Sequence, residues 1–251
     1  MSTLSRIFSL GPKSALTRTL VAALILSTQL SCQGQSSRDR VKDATQRIKP
    51  KLVQDLSKTG LRFGDPVFIR IFKQERKLEL WLQEPDKEHF KLFRTYPIAG
   101  MSGTLGPKLK EGDRQAPEGF YFVTKDQLNP QSRYHLSFNI GYPNTYDRAH
   151  GRTGSFIMVH GNKLSIGCFA MTDPKIEEIY LLCEAALNNG QPFFRVHSFP
   201  FQMTERKMTP TKGHKWEPFW QNLKQGYHAF ETTKTPPNVE VSEKRYIFTK
   251  P

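Results

Sequence analysis

The chain has 251 residues and carries 37 Lys and Arg against 23 Asp and Glu, a formal net charge of +14 at pH 7. Three cysteines exclude a disulfide scaffold, and no apolar run reaches the roughly 20 residues that a membrane-spanning helix needs. So basic a chain would ordinarily suggest nucleic acid, but its opening segment reads as an export signal, which favours acidic polymers or anionic envelope surfaces instead.

That segment holds no Asp or Glu before position 39. Arg6, Lys13 and Arg18 precede an apolar run from Leu20 to Leu26, which gives way to Ser27-Thr28-Gln29-Leu30-Ser31-Cys32. A basic start, a short apolar centre and a small-residue exit predict a signal peptide over residues 1–32. Cys32 sits where a bacterial lipoprotein is cut and acylated, so lipidation and plain cleavage near the same point are both open. The chain left after removal would be exported and either soluble or tethered only at its N-terminus.

Residues 33–59 are polar and basic, with Val41, Ala44, Ile48, Leu52 and Leu56 at helical spacing. This predicts a tether followed by an amphipathic helix. From Pro66 the period changes to two. "PVFIRIF" places Val67, Ile69 and Ile71 on one face, "KLELWLQ" does the same for Leu78, Leu80 and Leu82, and the polar "KQER" between them suits a hairpin turn. "HFKLFRTYPI", "GFYFV", "YHLSFNIG" and "SFIMVH" continue as short strands, so the expected domain, residues 60–205, is mainly β, a sandwich or barrel-like fold with a few helices.

One helix interrupts the strands. Asp173 is a plausible N-cap with Pro174 at the first helical position, and "NNG" ends the helix at Gly190. Cys183 falls on its apolar stripe and reads as a small core residue, with a disulfide to Cys168 as the alternative. In residues 206–251 a second stripe, Trp216, Phe219, Trp220, Leu223, Tyr227 and Phe230, predicts a C-terminal extension whose helix packs on the domain; a platform for stacking sugars is the competing reading.

The stretch with most chemistry is "MVHGNKLSIGCFAMTD", residues 158–173. His160 ends a predicted strand, and Cys168 follows Gly167 in the loop before the helix. A thiol becomes nucleophilic as the thiolate, and a histidine within hydrogen-bond reach can take its proton and later return it to a leaving amine. Backbone N–H groups at Gly167 and Cys168 are candidates for stabilising an oxyanion. Metal binding is disfavoured, since no Cys-x-x-Cys or His-x-x-x-His spacing supplies the three or four ligands zinc needs. "AGMSGTLGPK" lacks the Lys-Ser/Thr ending of a P-loop, which argues against nucleotide.

The "HG" and "S-x-G-C" elements, following a run of short strands, resemble the catalytic motif of YkuD-type L,D-transpeptidases. "TYPIAGMSGTLGPKLKEGDRQAPEGFY", "NIGYPNTYDRAHG" and "MVHGNKLSIGCFAMTDPKIEEIY", in that order, resemble the YafK-like branch. The resemblance covers roughly residues 60–205. It implies a bacterial envelope enzyme with Cys168 as nucleophile, His160 as general base and the Gly161 carbonyl orienting that histidine. Gly167 and Cys168 match the oxyanion positions, and Ser165 opens the signature. Two positions depart from the family pattern. Ile166 stands where many members carry a second His, and Ala170 stands where many carry an Arg suited to a substrate carboxylate. Arg148 in "YDRAHG" and Arg114 in "GDR" are the candidate replacements; loop-holding salt bridges with Asp147 and Asp113 are the alternative for both.

The activity so implied is acyl transfer on peptidoglycan stem peptides through a Cys168 thioester, with another stem or an envelope protein's lysine as acceptor and no cofactor. Resolution by water would make the protein a hydrolase that trims stems or releases proteins. A non-catalytic wall-binding lipoprotein is a third reading. The setting implied is a Gram-negative periplasm, with membrane contact only through a lipid on Cys32.

Overall fold

A computed structural model describes residues 37–251; the signal-peptide and Cys32 readings fall outside the described residues. The elements in order are α1 (Ser37–Ser57), β1 (Val67–Phe72), β2 (Lys77–Gln83), β3 (Phe90–Pro97), β4 (Gly119–Val123), β5 (Leu128–Asn129), β6 (Ser137–Asn139), α2 (Thr145–Ala149), β7 (Met158–His160), β8 (Phe169–Ala170), α3 (Asp173–Asn188), β9 (Phe194–Phe199), α4 (Glu205–Met208), α5 (Glu217–Thr233), β10 (Asn238–Ser242) and β11 (Arg245–Thr249). The domain is built on β-sheets with a few helices around them. A five-stranded sheet runs β3-β2-β1-β9-β4, a four-stranded sheet runs β5-β6-β7-β8, and β10 and β11 form a separate hairpin.

The period-two reading of β1 and β2 sets their register. Val67 pairs with Leu82, Ile69 with Leu80 and Ile71 with Leu78, in an antiparallel hairpin. These six residues lie in one core cluster with Tyr121, Val123, Phe194 and Val196 from β4 and β9, and with Ile176, Ile179 and Cys183 from α3. Cys183 is free and fully buried. Alternation predicts a solvated opposite face, yet every residue of β1 is buried. The C-terminal segment supplies the cover: Trp220, Leu223 and Tyr227 of α5 cluster with Phe72, Phe120 and Phe199, and Phe230 packs with Phe68 and Trp81. Each such side chain contributes roughly 1.5–3 kcal/mol on burial.

Arg70 is the polar residue that β1 places on this covered face. Its guanidinium donates to Glu79 Oε2, directly across the hairpin, at 2.7 and 3.0 Å, and to Glu231 Oε1 of α5 at 2.6 Å. It also stands 4.7 Å from the Phe230 ring centroid, so charge and aromatic face both dock the helix. In "KQER", the expected polar turn, Lys73 turns inward and is 2% exposed, because Glu118 waits 2.8 Å from its Nζ.

The stripe of α1 is buried at Ala44, Leu52 and Leu56. Arg47 pairs with Glu177 at 2.7 Å, joining α1 to α3. Thr172 rather than Asp173 occupies the N-cap of α3, with Pro at the helix start. Asp173 Oδ1 instead accepts the Asn162 N–H at 2.7 Å, pinning the loop that leaves β7.

Candidate active site

The four-stranded sheet brings the histidine and the cysteine together. β7 and β8 run parallel, with Val159 beside Phe169 and His160 beside Ala170. One step back along that register, Cys168 lies beside Met158, whose N–H approaches Sγ at 3.3 Å. Cys168 immediately precedes β8 and His160 ends β7, so the pairing of these short strands keeps both residues beside one ladder.

His160 is almost fully buried, and its Nδ1 lies 2.6 Å from the Gly161 carbonyl oxygen. A carbonyl can only accept, so Nδ1 carries the proton and Nε2 is left with its lone pair free to act as base. The Tyr134 ring packs on the imidazole at 4.6 Å between centroids. Burial pulls the His160 pKa below its usual value, and the bond to Gly161 offsets part of that. Glycine is required at position 161, where a Cβ would come 2.6 Å from Tyr134 O and 3.1 Å from His135 Cβ.

Cys168 is half-buried and free. Burial pushes its thiol up; the Met158 N–H and, less, the Lys108 ammonium push the other way. Its Sγ sits 3.7 Å from the Phe156 carbonyl oxygen, and among the described residues the thiol and the imidazole are not hydrogen-bonded to each other. Both shifts favour the uncharged forms of the two side chains.

Gly167 has φ +90°, a conformation that glycine adopts without penalty. Its N–H donates to Ser102 Oγ at 2.7 Å, and Ser102 Oγ donates to Arg114 O at 2.7 Å. Of the two expected oxyanion donors, Gly167 is thus engaged, whereas the Cys168 N–H finds no acceptor among the described residues. Ser165 Oγ is buried and also without a partner among them.

The motif's departures have structural counterparts. Ala170 is fully buried and exchanges both backbone hydrogen bonds with Gly100, their N···O distances being 2.8 and 3.2 Å. Ile166 is exposed. The two candidate arginines separate. Arg114 is exposed, and its backbone is one serine away from Gly167. Arg148 donates to Pro143 O and to Thr145 Oγ1, and it lines a cavity to which neither Cys168 nor His160 contributes. Asp147 and Asp113, their alternative partners, are used elsewhere: Asp147 pairs with Arg152 at 2.7 Å and Asp113 with Lys108 at 2.6 Å.

Ser102, Lys108 and Tyr134 are site residues that the motif reading does not find. Ser102 lies 65 positions from Gly167, and nothing in "AGMSGTLGPK" marks one hydroxyl as its partner. Lys108 is a buried cation within a run that reads as solvated basic loop.

Residues 66–192 match the family model of the YkuD L,D-transpeptidase catalytic domain. Two curated relatives, from Escherichia coli strain K12 and Escherichia coli O157:H7, are each 47% identical over 188 residues, covering 75% of this chain and 76% of theirs. Both bear a name that provisionally assigns them as L,D-transpeptidase YafK. Among solved structures, the helical cell shape determining protein Pgp2 from Campylobacter jejuni aligns at 19% identity with a TM-score of 0.43, over 76% of this chain and 80% of its own. Bd1075 of Bdellovibrio bacteriovorus aligns at 17% identity with a TM-score of 0.37, over 67% of this chain and 57% of its own.

Proposed function

The chain belongs to the YkuD-type L,D-transpeptidase catalytic domain family, and from that premise we propose that it is a cysteine acyltransferase acting on peptidoglycan stem peptides. The observation that carries the reading is the pairing of β7 with β8, which brings Cys168 against Met158, two residues before a histidine whose Nδ1 is held by Gly161.

In the proposed reaction His160 Nε2 takes the thiol proton as Sγ attacks the carbonyl of the third stem residue, a diamino acid. The developing oxyanion meets the free N–H of Cys168, and the Gly167 turn is held by Ser102. Collapse breaks the amide, and His160 returns the proton to the departing amine of the terminal D-alanine. The thioester is then attacked by an amine, from a second stem or a protein lysine, with His160 again accepting the proton. Sulfur leaves as the thiol and the new amide is formed. Ser165, whose buried hydroxyl has no partner among the described residues, is kept as a substrate-binding candidate, and Arg114 is assigned to the substrate carboxylate because of its tie to the Gly167 turn. Arg114→Gln should raise KM about tenfold with kcat little changed, the loss expected for one charge-assisted hydrogen bond; an unchanged KM removes that assignment. The setting assigned is the periplasm of a Gram-negative bacterium, entered through the 1–32 signal.

The test incubates purified wild type and Cys168→Ala with intact sacculi and reads the digested products by mass spectrometry. New 3–3 cross-linked dimers, or stems joined to an added amine, that require Cys168 support transfer. Cys168-dependent tripeptides or freed protein without new links would make the enzyme a hydrolase. Identical products from both proteins would remove the catalytic reading.

A further inference from the structure

The outer face of the five-stranded sheet is covered by α5 but not completely. Between the β4–β9 edge, the segment around α2 and the C-terminal hairpin lies a cavity of about 590 Å³, the size of a small-molecule site. Phe193, Arg195, His197 and the hairpin residues that line it fall beyond residues 66–192, while Phe120, Phe122 and Arg148 fall within them, so the catalytic-domain match covers only part of it.

Its lining combines aromatic rings, Phe120, Phe122 and Phe193, with two cations, Arg148 and Arg195, and Arg195 lies across the β4–β9 ladder from Phe122. Among the described residues neither guanidinium has a carboxylate partner. Arg195 donates to Asn238 Oδ1 at 2.7 Å and stands 5.1 Å from the Phe193 ring centroid; Arg148 reaches only Pro143 O and Thr145 Oγ1. Burial without a counter-charge lowers the Arg195 pKa. His197 lines the cavity too, 1% exposed, and both its ring nitrogens are without a hydrogen-bond partner among the described residues. A buried imidazole left so is costly unless something pairs with it, whereas Arg195 is half-buried and Arg148 is exposed and open to a ligand. Exposed Glu240 lines the same cavity and forms no ion pair with either arginine, so it opposes more than one negative charge on a ligand.

We propose that this cavity is a second binding site, distinct from the Cys168 site, for a small amphiphilic monoanion whose carboxylate meets Arg148 and Arg195 while its apolar body lies against Phe120, Phe122 and Phe193. The guanidinium fork matches a carboxylate bidentately, and the aromatic wall supplies apolar burial without selecting chain chemistry.

The test uses the purified protein with anilinonaphthalene sulfonate, an aromatic monoanion, as a fluorescent probe. Octanoate should displace the bound probe at one equivalent, while octylammonium and octanol, which share its body, should not. Octyl phosphate, with its greater charge, should compete more weakly than octanoate. Arg195→Gln should weaken octanoate about ten- to hundredfold, the loss of a charge-assisted hydrogen bond. Arg148→Gln, at an exposed position, should act in the same direction without disturbing the fold. Equal displacement by octylammonium or octanol would overturn anion recognition, and stronger binding of octyl phosphate would overturn the preference for a single charge. Unchanged affinity in both variants, or no saturable probe binding, would overturn the site itself.

Discussion

Replacing Glu118 by Gln should destabilise the fold by about 4 kcal/mol, most of what a domain of marginal stability can lose. The Glu118 carboxylate is fully buried. Its Oε1 accepts from Lys73 Nζ at 2.8 Å and Gly106 N at 2.6 Å, and its Oε2 accepts from Trp220 Nε1 at 2.8 Å. Gln keeps the shape but turns one of the two oxygens into an NH2 group. That group must face either Lys73 and Gly106 or Trp220, so at least one buried donor loses its acceptor, at roughly 1–3 kcal/mol. Lys73 also loses its counter-charge, and breaking a buried pair from one side costs about 3–5 kcal/mol in all. Burial already lowers the Lys73 pKa, with Glu118 the main opposing influence, so the variant lowers it further. The unfolded lysine keeps a value of about 10.4. Between the two values the unfolded chain binds more protons, and the variant's stability rises with pH across that window. Urea denaturation followed by tryptophan fluorescence measures this, since Trp220 is itself a partner. With a slope of about 2 kcal/mol per molar, the midpoint should fall by about 2 M. Lys73→Met with Glu118→Leu should be destabilised by at least about 2 kcal/mol less than the two single variants summed. A fall below about 0.5 M, or simple additivity, would refute the reasoning.

The lowered His160 and raised Cys168 values predict a kcat/KM that stays level from about pH 6.5 to about 8.5, with no thiolate absorbance at neutral pH; a thiolate titrating below pH 7 would mean an ion pair instead. Ser102→Ala removes the acceptor of the Gly167 N–H, worth roughly 1–3 kcal/mol, and should lower kcat several-fold to a hundredfold with KM little changed. Partial rescue by Ser102→Thr is expected, and a gain in kcat would mean that the freed N–H serves the oxyanion better. Gly226→Ala ought to favour the helix by up to about 1 kcal/mol, but its Cβ would come 2.6 Å from Phe120 Cζ. The clash should win by about 1–3 kcal/mol of net destabilisation in a urea titration, and a stabilised variant would show that Phe120 and the hairpin yield easily.

Features carried by contiguous residues were legible in the chain itself. Alternation at Val67, Ile69 and Ile71 settles which face of β1 enters the core, because the pleat repeats every two residues. The stripe from Trp216 to Phe230 marks a helix with a face to bury. The "HG" and "S-x-G-C" elements carry the family resemblance that singles out His160 and Cys168 for the proposed roles. Other features depend on what the folded chain brings alongside. The outer face of β1 is dry only because α5 arrives from 150 residues away, and Lys73 leaves its turn for the interior only because Glu118 is there to hold it. Arg114 and Arg148 read alike in the chain, but Ser102 ties the first to the Gly167 turn while the second faces another cavity. Local periodicity and motif chemistry are therefore set by neighbours in sequence. Which charges are buried and which hydroxyl meets which N–H are set by neighbours in space, where leaving a buried group unpaired costs more than any local preference returns.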